Sequence, residues 1–331
     1  MHKLLRRQLK KTGATVDKKF LDLVNQAYKD ADEDRYHALV YELRNHYFFY
    51  AYNENFIITD LSDSIYNIIG FSKEEILHKN FINLITNNKL NETIDDKVNK
   101  MIAGEPVEPH IINMYHKDGS NLYLELSSYP VFDDNGEFIE VKGIARNITK
   151  EYETQKKLQY ISNHDTLTGI SNRHSLYNKL EYIISDASRN NKAFALMYID
   201  LDNFKGVNDT LGHDGGDTLL KELTQRIKAH IRQNDLFARI GGDEFVVILT
   251  DIEDSFISEI TLNIINALKV DFLINNQKTA ITVSIGIASY PKDGEDIDML
   301  LKNADNAMYK IKNNGKNSFA HFNSDLKLQI H

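Results

Sequence analysis

The sequence predicts a protein of mixed α+β and α/β class, in which an antiparallel sheet with short helices precedes an α/β sandwich. The chain has 331 residues, a length that suits two domains. Residues 111–148 hold three strand patterns separated by short turns, as in an antiparallel meander. Residues 164–323 alternate strand and helix patterns in mixed order, which predicts helices packed on a largely antiparallel sheet.

The composition excludes several classes of protein. Hydrophobic residues make up 42% of the chain, enough for ordinary cores. No run approaches the ~18 apolar residues that a membrane span needs, and no long apolar segment follows the basic N-terminus as in a signal peptide. We therefore expect a cytoplasmic protein without membrane insertion. The net charge of −9 argues against nucleic acid as a partner, and the absence of cysteine excludes disulfides and thiolate metal sites.

The N-terminal part of the chain changes pattern near residue 46. Residues 1–46 have apolar positions at helical spacing and are predicted to form an amphipathic helical pair, packed on itself or on a second subunit. In residues 47–149, strand-like pieces come first and short helical pieces follow, with a capping-box pattern at Ser72 and Glu75. Leucines alternate with other residues over 122–126, so one face of that strand is expected to be buried.

Residues 150–163 connect the two predicted domains. They are mostly polar, with Leu158 and Ile161 three positions apart, and are predicted to form a short linker helix. In a dimer, this helix would pair as a two-stranded coiled coil that carries a rotation or a change of register between domains. The alternative is a solvated helix that only connects them, and both descriptions can hold at once.

The C-terminal part begins its strand–helix alternation with a buried strand. That strand covers residues 194–202 and ends in acidic residues. The later patterns predict a helix, a hairpin, a helix, a strand and a final helix, in that order, at residues 219–231, 232–249, 259–268, 279–290 and 298–315.

The hairpin RQNDLFARIGGDEFVVIL places two carboxylates beside a buried strand. Gly241 and Gly242 can adopt the positive φ of a two-residue turn, and Asp243 and Glu244 follow them. Carboxylates in such a position are unfavourable unless something compensates their charge. Asp200 ends another apolar strand. If the two strands are neighbours, the carboxylates converge and suit Mg²⁺, which commonly bridges substrate phosphates. The alternative for each acid alone is a solvated turn residue.

The N-terminal pattern resembles a PAS sensor domain over residues 47–149. The order of strands, short helices and a three-strand meander carries the resemblance, together with GFSKEEIL at 70–77 and RNIT at 146–149. Asn147 stands where that family usually has aspartate. The resemblance implies an antiparallel PAS fold and a sensory core that holds haem, flavin, a small ligand or nothing.

The ligand of this core stays unknown from the sequence. Haem-binding relatives usually offer a histidine on the helix before the long strands, and residues 87–101 contain none. His78, His110 and His116 fit surface or packing positions better than ligand positions. Without cysteine, a thiol–flavin adduct is excluded. A small ligand or a purely dimerising role is favoured, and non-covalent flavin is an alternative.

The C-terminal motifs resemble the diguanylate cyclase family over residues 164–323. GGDEF, its signature, stands at 241–245. Further motifs match in order and spacing, namely HDTLTGISNR at 164–173, DLDNFKGVNDTLGHDGGD at 200–217, SIGIASYPKDG at 284–294 and ADNAMYKIKNNGKN at 304–317. The resemblance implies a GGDEF domain with a palm-like α/β sandwich fold that condenses two GTP into cyclic di-GMP and two pyrophosphates.

The resemblance assigns the metal and catalytic roles to the acids. Asp200 and Asp243, with the carbonyl of Leu201, are expected to bind two Mg²⁺ ions, with Mn²⁺ as an alternative. Glu244 lies beside them and is expected to complete metal binding and share in catalysis. Asp243, or a metal-bound hydroxide, is expected to help deprotonate the 3′-hydroxyl that attacks the α-phosphate. Catalysis then consists mainly of positioning and charge stabilisation.

The same resemblance assigns the substrate-binding residues. A carboxylate that accepts from N1–H and the 2-amino group selects guanine over adenine, and the glycines let backbone approach the phosphates. Lys316 stands where the family often has arginine, so a point charge replaces a bidentate fork. The expected GTP-binding residues are Phe204 and Lys205 through their backbone amides, Asn208 and Asp217 at the guanine, and His213, Gly241, Gly242, Lys312 and Lys316.

The product implies a homodimer, because each domain holds one GTP and cyclic di-GMP joins two. The N-terminal region would then hold or release the productive pairing. Arg232 and Asp235 match the RxxD site at which this family binds cyclic di-GMP as an inhibitor. An exposed charged turn is the alternative for this short pattern. Asn263 occupies the place of a second arginine, so product inhibition is expected to be weaker or to use a different partner surface.

Three functions stay open at this point. The first is an active cyclase, the second is a non-catalytic receptor for GTP or cyclic di-GMP, and the third is a cyclase of relaxed purine specificity, against which Asp217 argues. Because the cyclase pattern ends shortly before His331, no phosphodiesterase domain is expected. The enzyme is favoured because the signature residues are present at Asp200, Asn208, Asp217, Gly241, Gly242, Asp243, Glu244 and Lys312.

Overall fold

Residues 43–322 are described by the computed structural model. The chain divides into two compact units between Gln155 and Lys156. The helical segment predicted over residues 1–46 lies outside the described residues, except for 43–46, which are helical. The last residue of the C-terminal domain predicted at 164–323 also lies outside them.

The N-terminal unit is built on antiparallel strands, namely β1 (Tyr47–Tyr52), β2 (Ile58–Leu61), β3 (His110–Tyr115), β4 (Asn121–Phe132) and β5 (Phe138–Asn147). They pair in the order β2-β1-β5-β4-β3. Between β2 and β3 lie short helices, namely α1 (Ile65–Ile69), α2 (Lys73–Ile76), two 3₁₀ turns (Phe81–Leu84 and Lys89–Asn91) and α3 (Ile94–Ile102). The predicted antiparallel sheet with short helices is confirmed.

Local sequence signals explain two of these elements. The hydroxyl of Ser72 accepts a hydrogen bond from the backbone N–H of Glu75, and the Glu75 carboxylate accepts one from the backbone N–H of Ser72 at 2.8 Å. The predicted capping box at the start of α2 is therefore confirmed. On β4, Leu122 and Leu124 are only 7% and 1% exposed, and they point to the inner face that the alternation predicted.

A helix, α4 (Thr149–Asn163), follows β5, and none of its residues is buried. The side-chain oxygen of Asn147 accepts hydrogen bonds from the backbone N–H and the hydroxyl of Thr149 at 3.0 and 2.7 Å. An amide oxygen makes both bonds as a carboxylate would, so asparagine suits this junction. Leu158 and Ile161 of α4 are 63% and 42% exposed.

The C-terminal unit contains a five-stranded sheet. Its strands are β6 (Phe194–Asp202), β7 (Leu236–Gly241), β8 (Glu244–Thr250), β11 (Thr282–Tyr290) and β12 (Ser318–His321), and a separate short hairpin is formed by β9 (Phe272–Ile274) and β10 (Gln277–Thr279). The order is β12-β11-β6-β8-β7, and β11–β12 is the parallel pair within it. The helices are α5 (Arg173–Asn190), α6 (Phe204–Lys228), α7 (Asp254–Lys269) and α8 (Ile297–Asn313).

Helices cover both faces of this sheet, which confirms the predicted sandwich. Leu223 of α6 and Ile264 of α7 share one core with Met197 of β6. Residues of α5 and α8 share the other core with Leu196, the next residue back along β6. Because side chains alternate along a strand, Asp200 lies on the same face as Leu196, toward α5 and α8.

Helix α8 approaches β11 closely at one glycine. A Cβ added to Gly286 would lie 1.9 Å from the carbonyl oxygen of Ala304 and 2.3 Å from the backbone nitrogen of Met308. Both atoms belong to the backbone of α8 and cannot swing away. Only glycine at position 286 lets the helix lie this near the strand.

We expect Gly286→Ala to lower the free energy of unfolding of the C-terminal unit by about 3 kcal/mol, because the methyl group forces α8 away from β11. Urea denaturation followed by hydrogen exchange at β11 measures this change. Gly241→Ala is the matched control, since a Cβ there meets no atom within 4 Å. Equal stability of the two variants would show that the close approach of α8 does not matter.

Candidate functional site

The strand register brings the predicted acids together at one edge of the C-terminal sheet. Strands β6 and β8 are antiparallel neighbours, and Asp200 pairs directly with Glu244. The backbone of Asp243 lies beside this pair, because its carbonyl oxygen accepts a hydrogen bond from the N–H of Leu201 at 3.3 Å. Four of the residues predicted for metal binding and catalysis therefore lie side by side.

The turn between β7 and β8 is shifted by one residue from the prediction. Gly241 ends β7 and pairs with Glu244, so the loop consists of Gly242 and Asp243. Of the two glycines, only Gly242 has a positive φ, 46°. The prediction that both glycines form the turn is wrong for Gly241, because a register shift between Arg239 and Gly241 moves the loop forward. A Cβ at either glycine would meet no atom within 4 Å, so the space beside the turn is open.

Asp200 is a buried carboxylate with a cation beside it. Its residue is 4% exposed, and its Oδ1 lies 2.6 Å from Nζ of Lys312 in the last turn of α8. Burial raises the pKa of Asp200 to about 6, and the charges of Asp243 and Glu244 act in the same direction, whereas Lys312 opposes them. The Lys312 contact is a close approach of charges rather than an aligned hydrogen bond, since Oδ1 has no hydrogen-bond partner.

A tyrosine on the same strand faces these acids. Tyr198 lies two residues before Asp200, and burial and the charge of Glu244 raise the pKa of its hydroxyl. A tyrosine hydroxyl is protonated at neutral pH and can donate to the acids, and their negative charge strengthens that preference.

The chemistry of these donors fits a hard divalent cation. Asp200, Asp243 and Glu244 offer carboxylate oxygens, which Mg²⁺ prefers, and Oδ1 of Asp200 is buried without a hydrogen bond. Within residues 43–322, no group of three or more His, Asp or Glu side chains is gathered closely enough to hold a metal ion. The cation that now compensates Asp200 is the ammonium group of Lys312.

Helix α6 carries the residues predicted to recognise guanine. Its backbone leaves the helical conformation at Gly212 (φ 75°, ψ 171°), between Asn208 and Asp217. A Cβ at Gly216 would lie 1.9 Å from Oδ1 of Asn208. Glycine at position 216 therefore lets the Asn208 amide fold back across the helix, while Asp217 is exposed. His213, directly after the break, is also exposed.

The predicted phosphate-binding groups lie at two ends of helices. Phe204 and Lys205 begin α6, where the first-turn N–H groups have no intrahelical acceptor. Lys312 lies in the last turn of α8. Lys316 follows in the loop before β12 with its side chain exposed, and its N–H donates to the carbonyl of Ile311 at 3.0 Å.

An arginine that the sequence analysis did not single out holds the signature turn. Nε and an NH₂ group of Arg239 donate to the carbonyl oxygen of Gly242 at 2.9 and 2.6 Å. Its other NH₂ group donates to Oδ1 of Asp165 at 3.1 Å. Asp165 belongs to the motif HDTLTG and also accepts from the N–H and hydroxyl of Thr168. Burial opposes the effect, but the bonds from Thr168 and Arg239 hold the pKa of Asp165 below its usual value.

A second residue without a predicted role is Asp202. Its carboxylate accepts hydrogen bonds from Thr282, Ser284 and the backbone N–H of Asn317 at 2.7, 2.8 and 3.0 Å. The local pattern Asp-x-x-Thr, in which an aspartate accepts from the backbone N–H three residues on, would have indicated the local role of Asp165. No local signal reveals Asp202 or the bond from Arg239 to Asp165, because these partners are distant in sequence.

The predicted RxxD site forms a turn just before β7. The backbone N–H of Arg232 donates to Oδ2 of Asp235 at 2.7 Å, and the N–H of Thr250 donates to Oδ1 at 3.2 Å. The Arg232 side chain is exposed, and Asn263 is exposed on α7. Product binding at these residues stays a prediction.

The N-terminal unit contains an apolar pocket of about 60 Å³ between its sheet and short helices. The lining includes Tyr50 and Tyr52 but none of His78, His110 and His116. Burial, and then the charge of Lys97, lower the pKa of His110 to about 4. An engineered cavity that binds benzene has about 150 Å³, so haem or flavin would require the lining to rearrange.

Comparisons with known proteins match both units. Residues 162–318 match the family described as diguanylate cyclase, GGDEF domain, and residues 45–150 match the PAS domain family. The chain therefore carries a PAS domain followed by a GGDEF domain. No helix within residues 43–322 is both long and apolar enough to cross a membrane.

Several bacterial proteins are similar to about half of this chain. The bifunctional diguanylate cyclase/cyclic di-GMP phosphodiesterase MucR of Pseudomonas aeruginosa is 39% identical over 171 residues, covering 52% of this chain and 25% of MucR. The cyclic di-GMP phosphodiesterase PdeR of Escherichia coli is 34% identical over 184 residues, 56% of this chain and 28% of PdeR. The diguanylate cyclase TpbB of Pseudomonas aeruginosa is 37% identical over 163 residues, 49% of this chain and 38% of TpbB. The chain thus spans well under half the length of these relatives.

We expect Arg239→Ala to lower the free energy of unfolding of the C-terminal unit by about 2 kcal/mol, because Asp165 and the Gly242 carbonyl lose their charged donor. The side chains of Arg239 and Asp165 are only 12% and 23% exposed. Urea denaturation measures the change. Lys192→Ala, which removes an exposed ion pair with Asp251, is the control and should leave stability unchanged. An equal effect of both variants would contradict the role of Arg239.

Proposed function

We propose that this chain is a PAS-regulated diguanylate cyclase, which condenses two GTP into cyclic di-GMP and two pyrophosphates within a homodimer. The observation that supports this most is the register of β6 and β8, which sets Asp200 opposite Glu244. Asp243 lies beside that pair, and Lys312 provides positive charge at the same point. Acids, an open glycine turn and lysines at one sheet edge suit transfer of a nucleotidyl group.

The residues of this site would bind metal, accept a proton and neutralise charge, and Asp243 would have the first two of these roles. Asp200, Asp243 and the carbonyl of Leu201 would hold Mg²⁺, with Mn²⁺ as an alternative, and Glu244 would complete the donor set. When bound, the metal supplies positive charge that neutralises the triphosphate and favours ionisation of the attacking 3′-hydroxyl. Asp243 would accept the proton of that hydroxyl. Lys312 already neutralises Asp200 and would exchange this contact for the triphosphate.

Substrate selection would come from α6 and the turn between β7 and β8. Asn208 and Asp217 would bind the guanine edge, which adenine cannot match because it lacks the same donor pair. The first-turn amides at Phe204 and Lys205, the open backbone at Gly241 and Gly242, and the side chains of His213 and Lys316 would hold the phosphates and ribose. An exposed Asp217 supports this assignment, since a ligand can reach it.

The reaction requires two GGDEF domains to face each other, each with one GTP. The exposed Leu158 and Ile161 of α4 support pairing of two copies through this helix, because burial of apolar side chains favours association. The PAS domain would control whether the two GGDEF domains pair productively. We propose the domain limits 47–149 for PAS, 150–163 for the linker helix and 164–323 for GGDEF.

A second candidate is a non-catalytic receptor for GTP or cyclic di-GMP. One observation favours it: Lys312 lies against Asp200, and the described acids do not converge as a metal cluster. In such a receptor the ion pair persists and nucleotide binding acts only through protein contacts. The two candidates differ in whether GTP is consumed.

We expect the purified chain, incubated with GTP and Mg²⁺, to form cyclic di-GMP, and Asp243→Asn to form none. The isosteric amide keeps the turn but removes a negatively charged metal ligand and the proton acceptor. Products are separated by chromatography and identified by mass. Glu259→Gln, which removes an exposed carboxylate on α7, is the matched control and should retain full activity.

The dependence on protein concentration separates the candidates further. For a cyclase that acts as a dimer, the rate per subunit rises with concentration until the dimer is saturated. GTP that binds by calorimetry but stays intact at every concentration would refute the cyclase and support the receptor.

We expect Arg232→Ala to preserve turnover but to raise the inhibition constant for cyclic di-GMP by roughly tenfold or more, because a charged hydrogen-bond donor to the product is lost. Initial rates with added cyclic di-GMP measure this. Arg189→Ala, at an exposed arginine on α5, is the control, and cyclic di-GMP should inhibit it as strongly as it inhibits the original chain. An unchanged inhibition constant in Arg232→Ala would rule out the RxxD assignment.

A further inference from the structure

Two acids two residues apart on β6 have opposite surroundings. Asp200 has a buried Oδ1 without a hydrogen bond. Asp202, the last residue of the strand, is 6% exposed and accepts three hydrogen bonds. A carboxylate whose lone pairs are used in this way is a poor additional metal ligand. Asp202 therefore has a different role from Asp200, and its partners indicate which.

The donors to Asp202 come from two elements that are distant in sequence. The hydroxyls of Thr282 and Ser284 belong to β11, directly beside β6 in the sheet. The third donor is the backbone N–H of Asn317, in the loop between α8 and β12. The two hydroxyls orient the carboxylate, and the carboxylate in turn fixes the loop.

The loop that Asp202 holds has a backbone conformation that needs support. Gly315, Lys316 and Asn317 are consecutive, and their φ values are 111°, 62° and 49°. A residue other than glycine is strained in the left-handed region, and two such residues, Lys316 and Asn317, follow each other here. The charged hydrogen bond from Asn317 to Asp202 and the bond from Lys316 N–H to Ile311 keep the loop in this shape.

We propose that Asp202 is a positioning residue for GTP, which holds Lys316 where its ammonium group meets the β- and γ-phosphates. The inference rests on the proposed function, in which Lys316 binds the triphosphate. Asn317 follows Lys316 directly, so its tie to Asp202 orients the preceding lysine. Lysine neutralises phosphate as a point charge at the end of a flexible side chain, and a fixed backbone limits the positions that this charge can occupy.

The test compares nucleotides with and without the outer phosphates, using the full chain and Mg²⁺. The probes are 3′-deoxy-GTP, which lacks the attacking hydroxyl and so is not consumed, and GMP, which lacks the β- and γ-phosphates. Affinities are measured by competition against a fluorescent guanine nucleotide. Asp202→Asn should weaken 3′-deoxy-GTP roughly tenfold, the loss expected for a charged hydrogen bond, and leave GMP unchanged. Glu259→Gln should change neither affinity.

A double variant separates positioning from general damage. If Asp202 acts through Lys316, then Asp202→Asn combined with Lys316→Ala binds 3′-deoxy-GTP no more weakly than Lys316→Ala alone. The inference would be overturned if the double variant lost affinity by the product of the two single losses. It would also be overturned if Asp202→Asn weakened GMP and 3′-deoxy-GTP equally. Should Asp202→Asn fail to fold, Thr282→Val removes one of the three donors and should weaken binding of 3′-deoxy-GTP alone, by a smaller factor. Unchanged affinity of Thr282→Val for 3′-deoxy-GTP would also overturn the inference.

Failure of the proposed function has its own signature. If Lys316→Ala binds 3′-deoxy-GTP as well as the original chain does, Lys316 does not bind the phosphates. The proposed role of Asp202 is then wrong too. If Lys316→Ala loses affinity and Asp202→Asn does not, the assignment of Lys316 stands and only the inference about Asp202 is overturned.

Discussion

The burial of the Asp200 carboxylate at the end of β6 is the constraint around which the C-terminal unit is arranged. A carboxylate that is 4% exposed and close to two other acids is unfavourable unless a cation lies beside it. Lys312 provides that cation from the last turn of α8. The helix can reach the strand because Gly286 has no side chain. One buried charge thus connects a strand, a helix and a glycine in the neighbouring strand.

Some groups around Asp200 are held by hydrogen bonds, and others are exposed and accessible to a ligand. Arg239 and Asp165 hold the signature turn, and Asp202 holds the loop after α8, each through fully formed hydrogen bonds. The side chains of Asp217 and Lys316 are instead exposed and free to meet a ligand. In the proposed cyclase, satisfied supporting groups and accessible contacting groups would make much of the site preorganised for substrate.

Most of the fold follows from local patterns, and most of the site's support does not. The alternation at Leu122–Leu126 and the capping box at Ser72 predicted their elements, because both signals act over a few residues. The shifted turn at Gly241 escaped prediction, since a register shift depends on how two strands pair. Arg239 and Asp165 are 74 positions apart, and Asp202 and Asn317 are 115 apart, so no spacing rule connects them.

The sequence by itself determined most of the strands and helices and the kinds of residue at the sheet edge, because hydrophobic periodicity and residue chemistry act over short stretches of sequence. It did not predict α5, the β9–β10 hairpin or β12. The tertiary structure alone decided that Asp200 faces Glu244 and Lys312, and that Asp202 is satisfied while Asp200 is not. These relations depend on which strands become neighbours and in which register. Register is set by packing of the whole sheet, and a shift of one residue would turn the side chains of the shifted strand to the other face.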